Sequence, residues 1–262
     1  MKIFDFFRNL FAKKHFKIGL ALGSGGAKGF AHLGALKAFE EEGIKFDIVA
    51  GTSIGAIVGA MYACGFNHRE MIGIFHEYNI LDPKKMLAFA MRKKTVTDIF
   101  NEVLGGKTFE EAELPFAAVA ANINSGETVV MRHGEIASAV AASGAVPPIF
   151  KPVERLGVKL VDGACVNAVP ADVVKEMGAD FVVSICLSSE PTNIGMKRVL
   201  DTMYKGNGVE LKDRLKQFNE YSDVKIIPDL KAFKSIDFLK ASDMFEIGYP
   251  RRKRQCLRSE KN

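Results

Sequence analysis

The sequence predicts an α/β fold with a mostly parallel central sheet flanked by helices. Three observations carry that expectation. Short apolar runs of strand length alternate with longer runs of helical character: KIGLAL (17–22), then 30–42, FDIVA (46–50), then 54–64. Strand, turn, helix, strand, turn, helix is the order of βαβ units, whose strands lie parallel. The turns that join strand to helix, at 23–29 and 51–55, are rich in glycine. Finally, 262 residues with 48% hydrophobic and 26% charged side chains suffice for one large domain with its own core. That composition excludes wholesale disorder, a collagen-like repeat and a disulfide-stapled miniprotein.

The elements follow in order. Ile3, Phe6, Phe7, Leu10 and Phe11 fall at helical spacing, with basic residues between them. Such a helix could enter a headgroup boundary through its phenylalanines, or pack on the domain's own core. After the two strand–turn–helix units, 69–113 reads as helices and loops, with apolar and basic residues mixed in MLAFAMRKK (86–94). PFAAVAANI (115–123) reads as a strand, 127–135 as a strand or hairpin, and 135–142 as a helix. A short strand over 158–161 ends at Asp162. Residues 171–177 are helical, and DFVVSICL (180–187) is a buried strand. A helix-rich stretch runs to about 218, with a late strand over 224–230 and a helix over 241–249. No repeat or linker divides the chain. The expected organisation is an amphipathic segment 1–16, one domain 17–250 and a basic tail 251–262.

Charge and cysteines narrow the function. The formal net charge is +5. Lys2, Arg8, Lys13, Lys14 and Lys17 against Asp5 give the N-terminal segment +4, and six basic residues against Glu260 give 251–262 +5, so residues 18–250 carry −4. A mildly acidic body with basic ends argues against a nucleic-acid enzyme with a basic groove, and leaves two ends able to meet an anionic surface. Cys64, Cys165, Cys186 and Cys256 form no CxxC or CxH cluster, so no metal site is expected. Sparse cysteines fit a reducing compartment, and no export signal is read at the N-terminus; the expected location is cytoplasmic. The uncharged run 48–68 has spanning length, but its glycines, Thr52 and Ser53 fit a buried strand, turn and helix better.

Three motifs carry chemistry. Gly51-Thr52-Ser53-Ile54-Gly55 is a G-x-S-x-G pattern between an apolar strand and an apolar helix. Gly51 and Gly55 allow the backbone to close tightly around Ser53, exposing its hydroxyl beside a helix N-terminus. The second motif, Gly23-Ser24-Gly25-Gly26-Ala27-Lys28-Gly29, fails as a P-loop, because no Ser or Thr follows Lys28. It also fails as a dinucleotide fingerprint, because the third glycine position is Lys28. It can serve as an oxyanion hole, its small residues letting N–H groups converge, or as a tight turn. The third motif is Asp162-Gly163-Ala164 at the end of an apolar strand, where a carboxylate could be aimed into a cleft; Asp-Gly is also a common turn.

Together and in this order, over roughly 17–187, the three motifs resemble the patatin-like phospholipase family. Ala142-Ser143-Gly144-Ala145-Val146-Pro147-Pro148-Ile149-Phe150 resembles the family's segment before the Asp strand. AHLGAL (31–36) and ASDMFEIGY (241–249) look closest to its bacterial branch. Two positions depart from the pattern: Ser24 stands where many members have Gly, and Lys28 where Arg is more frequent. The resemblance implies a three-layer α/β/α fold and a Ser53–Asp162 dyad that cleaves acyl esters of phospholipid or lysophospholipid without a cofactor. It implies an oxyanion hole of Gly25, Gly26 and Ala27 N–H groups, a loop supported by Lys28 and Gly29, and a nucleophile turn held by Gly51 and Gly55. Lys28 could instead contact an anionic headgroup. An acyltransferase on the same site and a non-hydrolytic lipid sensor are the alternatives. The implied partners are a lipid substrate and an anionic membrane reached through residues 1–16. A triad would need one of His15, His32, His68, His76 or His133; His32, one turn into the helix after the loop, reads as a packing or polar contact.

Overall fold

Alternate residues of β1 (Ile18–Leu22) serve two different layers. Ile18, Leu20 and Leu22 enter one buried apolar cluster, and Ala21 enters a second. Gly19 lies on the same face as Ala21, where a Cβ would fall 2.0 Å from Val174. Successive strand side chains point to opposite faces, so two clusters mean two covered faces. The computed structural model describes residues 16–78, 96–147, 149–155, 157–187 and 214–249. The expected N-terminal helix, MLAFAMRKK, most of the helix-rich stretch before 218 and the basic tail lie outside these residues.

One face carries α1 (Phe30–Glu41), α2 (Ile54–Ala63), α3 (His68–Glu77), α4 (Val96–Leu104) and α5 (Ile136–Ser143). The other carries α6 (Ala171–Glu176) and α7 (Lys216–Tyr221). The result is the three-layer arrangement. A last helix, α8 (Ala241–Gly248), lies against α1 through mutual glycine contacts. A Cβ on Gly34 would meet the Phe245 carbonyl at 2.1 Å, and one on Gly248 would meet the Ala31 carbonyl at 2.1 Å. The uncharged run 48–68 resolves into a strand, a turn and α2. No helix among the described residues is long and apolar enough to cross a membrane.

Five strands form the parallel centre of the sheet. β1 pairs in parallel with β2 (Ile48–Thr52) and β7 (Phe181–Ile185); β2 pairs with β3 (Phe116–Asn122), and β7 with β8 (Val224–Ile226). The sheet as a whole is mixed. β4 (Thr128–Met131) returns antiparallel along β3 because only five residues separate the two strands, too few for a crossover. β5 (Val153–Arg155) and β6 (Val158–Asp162) form a hairpin, and β6 also runs antiparallel to β3.

The register along β3 determines where the site lies. β4 occupies one edge of β3 from Ala118 to Ala121. The opposite edge is shared: β2 pairs with it up to Thr52 at Val119, and β6 begins from the other direction at Asp162, opposite Ala120. Two strands running toward each other therefore end at adjacent positions of a third. The residues that leave them, Ser53 and Asp162, are forced together although 109 positions apart in sequence.

Candidate active site

Ser53 leaves β2 with φ 58° and ψ −124°, and it is the single non-glycine residue with positive φ among the described residues. L-residues are strained there, and such strain persists only where the surroundings impose it. Here glycine contacts impose it. A Cβ on Gly51 would lie 2.2 Å from the Gly55 carbonyl oxygen, and one on Gly55 would lie 2.1 Å from the Leu22 carbonyl oxygen. The turn thus closes on itself and on the end of β1. Gly29 adds a third close approach, since a Cβ there would meet the Ile54 side chain at 2.1 Å. The two glycine-rich turns are therefore packed directly against each other.

Asp162 is buried, and both of its carboxylate oxygens have partners. Oδ2 accepts the Ser53 hydroxyl at 2.5 Å, the short range expected for an O–H bond to a carboxylate. Oδ1 accepts the Ala164 N–H at 2.8 Å. Burial raises the Asp162 pKa to about 6, and the hydrogen bonds from Ser53 and Ala164 oppose that rise. A carboxylate titrating near neutrality can take a proton from a hydroxyl during attack and return it later. Gly163 permits the tight turn beyond it, because a Cβ there would lie 2.5 Å from the Val119 carbonyl oxygen.

Ser143, at the end of α5, ties the end of β2 to β3. Its hydroxyl accepts the Ser53 N–H at 2.8 Å and donates to the Val119 carbonyl at 2.6 Å. The sequence places Ser143 in a recognisable segment without indicating this role; the signal is a fully buried serine at a helix end. His32 is the other buried polar residue of the site. Its Nε2–H donates to the Gly23 carbonyl at 2.8 Å, while Nδ1 has no partner. Burial lowers its pKa to about 4, so the ring is neutral near pH 7. His32 braces the first glycine turn through this polar contact. None of the described histidines hydrogen-bonds Ser53 or Asp162: His68 pairs with Glu40 and the exposed His133 with Glu110. His15 lies outside the described residues.

The glycine loop forms a short 3₁₀ turn over Gly26–Gly29, closed by the Lys28 N–H on the Gly25 carbonyl at 3.2 Å. Gly26 has φ 58° and lies under the Ser235 carbonyl, which a Cβ would meet at 2.4 Å. One expectation needs correction. The Ala27 N–H donates to the Ser235 carbonyl at 2.8 Å, so it is already engaged and is no free donor for an oxyanion. The N–H groups of Gly25 and Gly26 donate to no backbone carbonyl among the described residues. Gly26 and Ser53 line the same cavity, of about 170 Å³. Its other walls are apolar: Ile57 from α2, Ile99 and Phe100 from α4, Val140 from α5, and Phe150 and Phe238 from loops. The segment MLAFAMRKK (86–94) lies outside the described residues. Among those described, no group of three His, Cys, Asp or Glu side chains could hold a metal ion.

A strained serine, hydrogen-bonded to a buried carboxylate at the polar end of an apolar cavity, can support acyl transfer from an ester. The family model of patatin-like phospholipases matches residues 20–175, and the chain belongs to this family. An NTE family protein of Mycobacterium tuberculosis (strain ATCC 25618 / H37Rv) is 32% identical over 177 residues, covering 66% of this chain and 49% of that protein. Patatin-like phospholipase domain-containing protein 6 of Homo sapiens is 28% identical over 271 residues, covering 88% of this chain and 20% of that protein. The chain thus spans half or less of the length of these curated relatives. Among solved structures, VipD from Legionella pneumophila superposes with a TM-score of 0.51 at 17% identity, covering 89% of this chain and 67% of that one.

Proposed function

We propose that the chain is a serine hydrolase that cleaves acyl esters of lipids, phospholipid or lysophospholipid, through a Ser53–Asp162 dyad. The observation that carries this reading is the 2.5 Å hydrogen bond from the Ser53 hydroxyl to Asp162, at the head of an apolar cavity. Membership of a phospholipase family supports a lipid-hydrolysing enzyme.

In this mechanism the acyl chain enters the apolar cavity and the ester carbonyl rests over Ser53. The Ser53 oxygen attacks the carbonyl carbon while Asp162 accepts its proton. The Gly25 and Gly26 N–H groups receive the carbonyl oxygen as it gains negative charge; losing one such donor typically costs about 10²–10³ in rate. The tetrahedral adduct collapses, the C–O bond to the leaving alcohol breaks, and Asp162 returns the proton to that alcohol. Water then attacks the acyl-enzyme, Asp162 accepts its proton, and Ser53 leaves reprotonated with the fatty acid released.

Ser53→Ala and Asp162→Asn should each lower turnover of an acyl ester by at least about 10³-fold, because the two side chains act as a unit. A serine-directed fluorophosphonate should label wild type and fail to label Ser53→Ala. Full activity in Ser53→Ala, or labelling at another residue, overturns the proposal. Product analysis with a lysolipid acceptor separates hydrolysis from acyl transfer.

A further inference from the structure

The most exposed large apolar side chains of the described residues are Leu239, 86% exposed, and Ile236, 64% exposed. Both flank Phe238, which lines the cavity above Ser53. Ile149, 46% exposed, is the chain neighbour of Phe150, which lines the same cavity. Three exposed apolar side chains therefore lie within two residues of phenylalanines that line one cavity, from two segments far apart in sequence. The later segment is seated on the glycine loop by the bond from the Ala27 N–H to the Ser235 carbonyl. A further tie, from the Lys234 N–H to Asp237 Oδ2 at 2.8 Å, fixes the turn that presents Ile236.

The charge of these segments runs against that of the body. Residues 231–240 hold Lys231, Lys234 and Lys240 against Asp237 alone, within a stretch 18–250 that is net acidic. The three lysines are exposed, as is Lys151 beside Ile149. Exposed Leu and Ile among lysines, on the segments that supply two walls of an apolar cavity, is the chemistry of a surface that meets hydrocarbon and anionic headgroups together.

We propose that the cavity rim formed by Ile149, Lys151, Lys234, Ile236, Leu239 and Lys240 docks on an anionic lipid bilayer, so that an acyl chain passes from the membrane to Ser53 without crossing water. The proposal rests on the lipid-ester reading of the site and deepens it. It concerns a different part of the molecule from residues 1–16.

The test is partition of the 262-residue chain onto vesicles of phosphatidylcholine with about 30% phosphatidylserine, and onto phosphatidylcholine alone. Wild type should prefer the anionic vesicles. Ile236→Asp combined with Leu239→Asp should lower partition by at least about tenfold on the anionic vesicles. Lys234→Glu combined with Lys240→Glu should abolish the preference between the two compositions. Turnover of a soluble short-chain ester should stay within about twofold of wild type in both variants, which also reports that they are folded. Unchanged vesicle partition in the apolar double variant overturns the docking proposal. So does a wild-type dimer in sedimentation that this variant dissociates while vesicle binding is retained, since the rim would then be a self-association face. If vesicle binding behaves as expected but wild type hydrolyses no ester, the hydrolase reading fails and the docking surface stands.

Discussion

Ser53 and Asp162 occupy neighbouring strand ends along β3, yet they are held in opposite ways. Ser53 is held by its backbone: φ is 58°, and three glycines leave the chain no other course. Asp162 leaves its strand at φ −49° and ψ 129°, close to ordinary extended geometry, and is held by hydrogen bonds and burial. The difference teaches where each position is stored. Changing the Ser53 side chain leaves the turn intact, whereas changing the charge of Asp162 alters what holds it. Perturbing the carboxylate, then the tie from the Ser53 backbone to β3, then the turn separates the two modes.

The largest effect should come from titration. Asp162 titrates at about 6 in the fold, above its ordinary 3.8, and His32 at about 4, below its ordinary 6.5. For Asp162 the fold favours the protonated form. Its contribution is full below pH 3.8 and is lost as pH rises through 6, a change of about 3 kcal/mol. For His32 the fold favours the neutral ring. Its contribution is full above pH 6.5 and is lost as pH falls through 4, by a similar amount. Relative to wild type, Asp162→Asn should therefore gain stability between about pH 4 and 7, and His32→Gln should lose it. Urea titrations at several pH values measure both slopes, and slopes of the same sign would refute this assignment. On the proposed dyad mechanism the same carboxylate should set an acid limb near pH 6 in kcat/KM, which His32→Gln should retain.

The tie between the end of β2 and β3 is Ser143. Ser143→Ala leaves the Ser53 N–H and the Val119 carbonyl without their partner in a buried place. Stranding buried backbone groups should cost about 2 kcal/mol in thermal unfolding. Because the lost bond orients the turn, kcat should fall more than KM rises. An unchanged melting temperature would mean that Ser143 bridges nothing of consequence.

How much of this was legible follows the same division. β2 and its turn are readable because an apolar run that stops at Gly-x-Ser-x-Gly and resumes as an apolar helix has few other ways to fold. The glycine loop is readable for the same reason, down to the glycines themselves. The direction of β6 is not, since a short strand carries no sign of whether it lies parallel or antiparallel to its neighbour. β5 goes unseen because Val153–Arg155 is only three residues long and two of them, Glu154 and Arg155, are charged. The end-to-end meeting of β2 and β6 depends on register along β3, which no local pattern encodes. The engagement of Ala27 by Ser235 and the bridging by Ser143 depend on contacts between distant segments. What sequence reveals here is local chemistry, and what it conceals is the partner brought in from elsewhere.

The smallest effect isolates backbone strain at position 53. Ser53→Ala and Ser53→Gly both remove the hydroxyl and leave Asp162 Oδ2 without its donor, so that loss cancels between them. What differs is the Cβ. At φ 58° and ψ −124° a residue with a Cβ is strained by about 1–3 kcal/mol, while glycine is not. Glycine loses more freedom on folding, by about 0.5–1 kcal/mol. Ser53→Gly should therefore be about 1 kcal/mol more stable than Ser53→Ala, the reverse of the usual order at helix-forming positions. Urea unfolding of the two variants side by side measures the difference. If the alanine variant is the more stable, the turn is relaxed, and the serine is held by Ser143 and Asp162 rather than by the glycines around it.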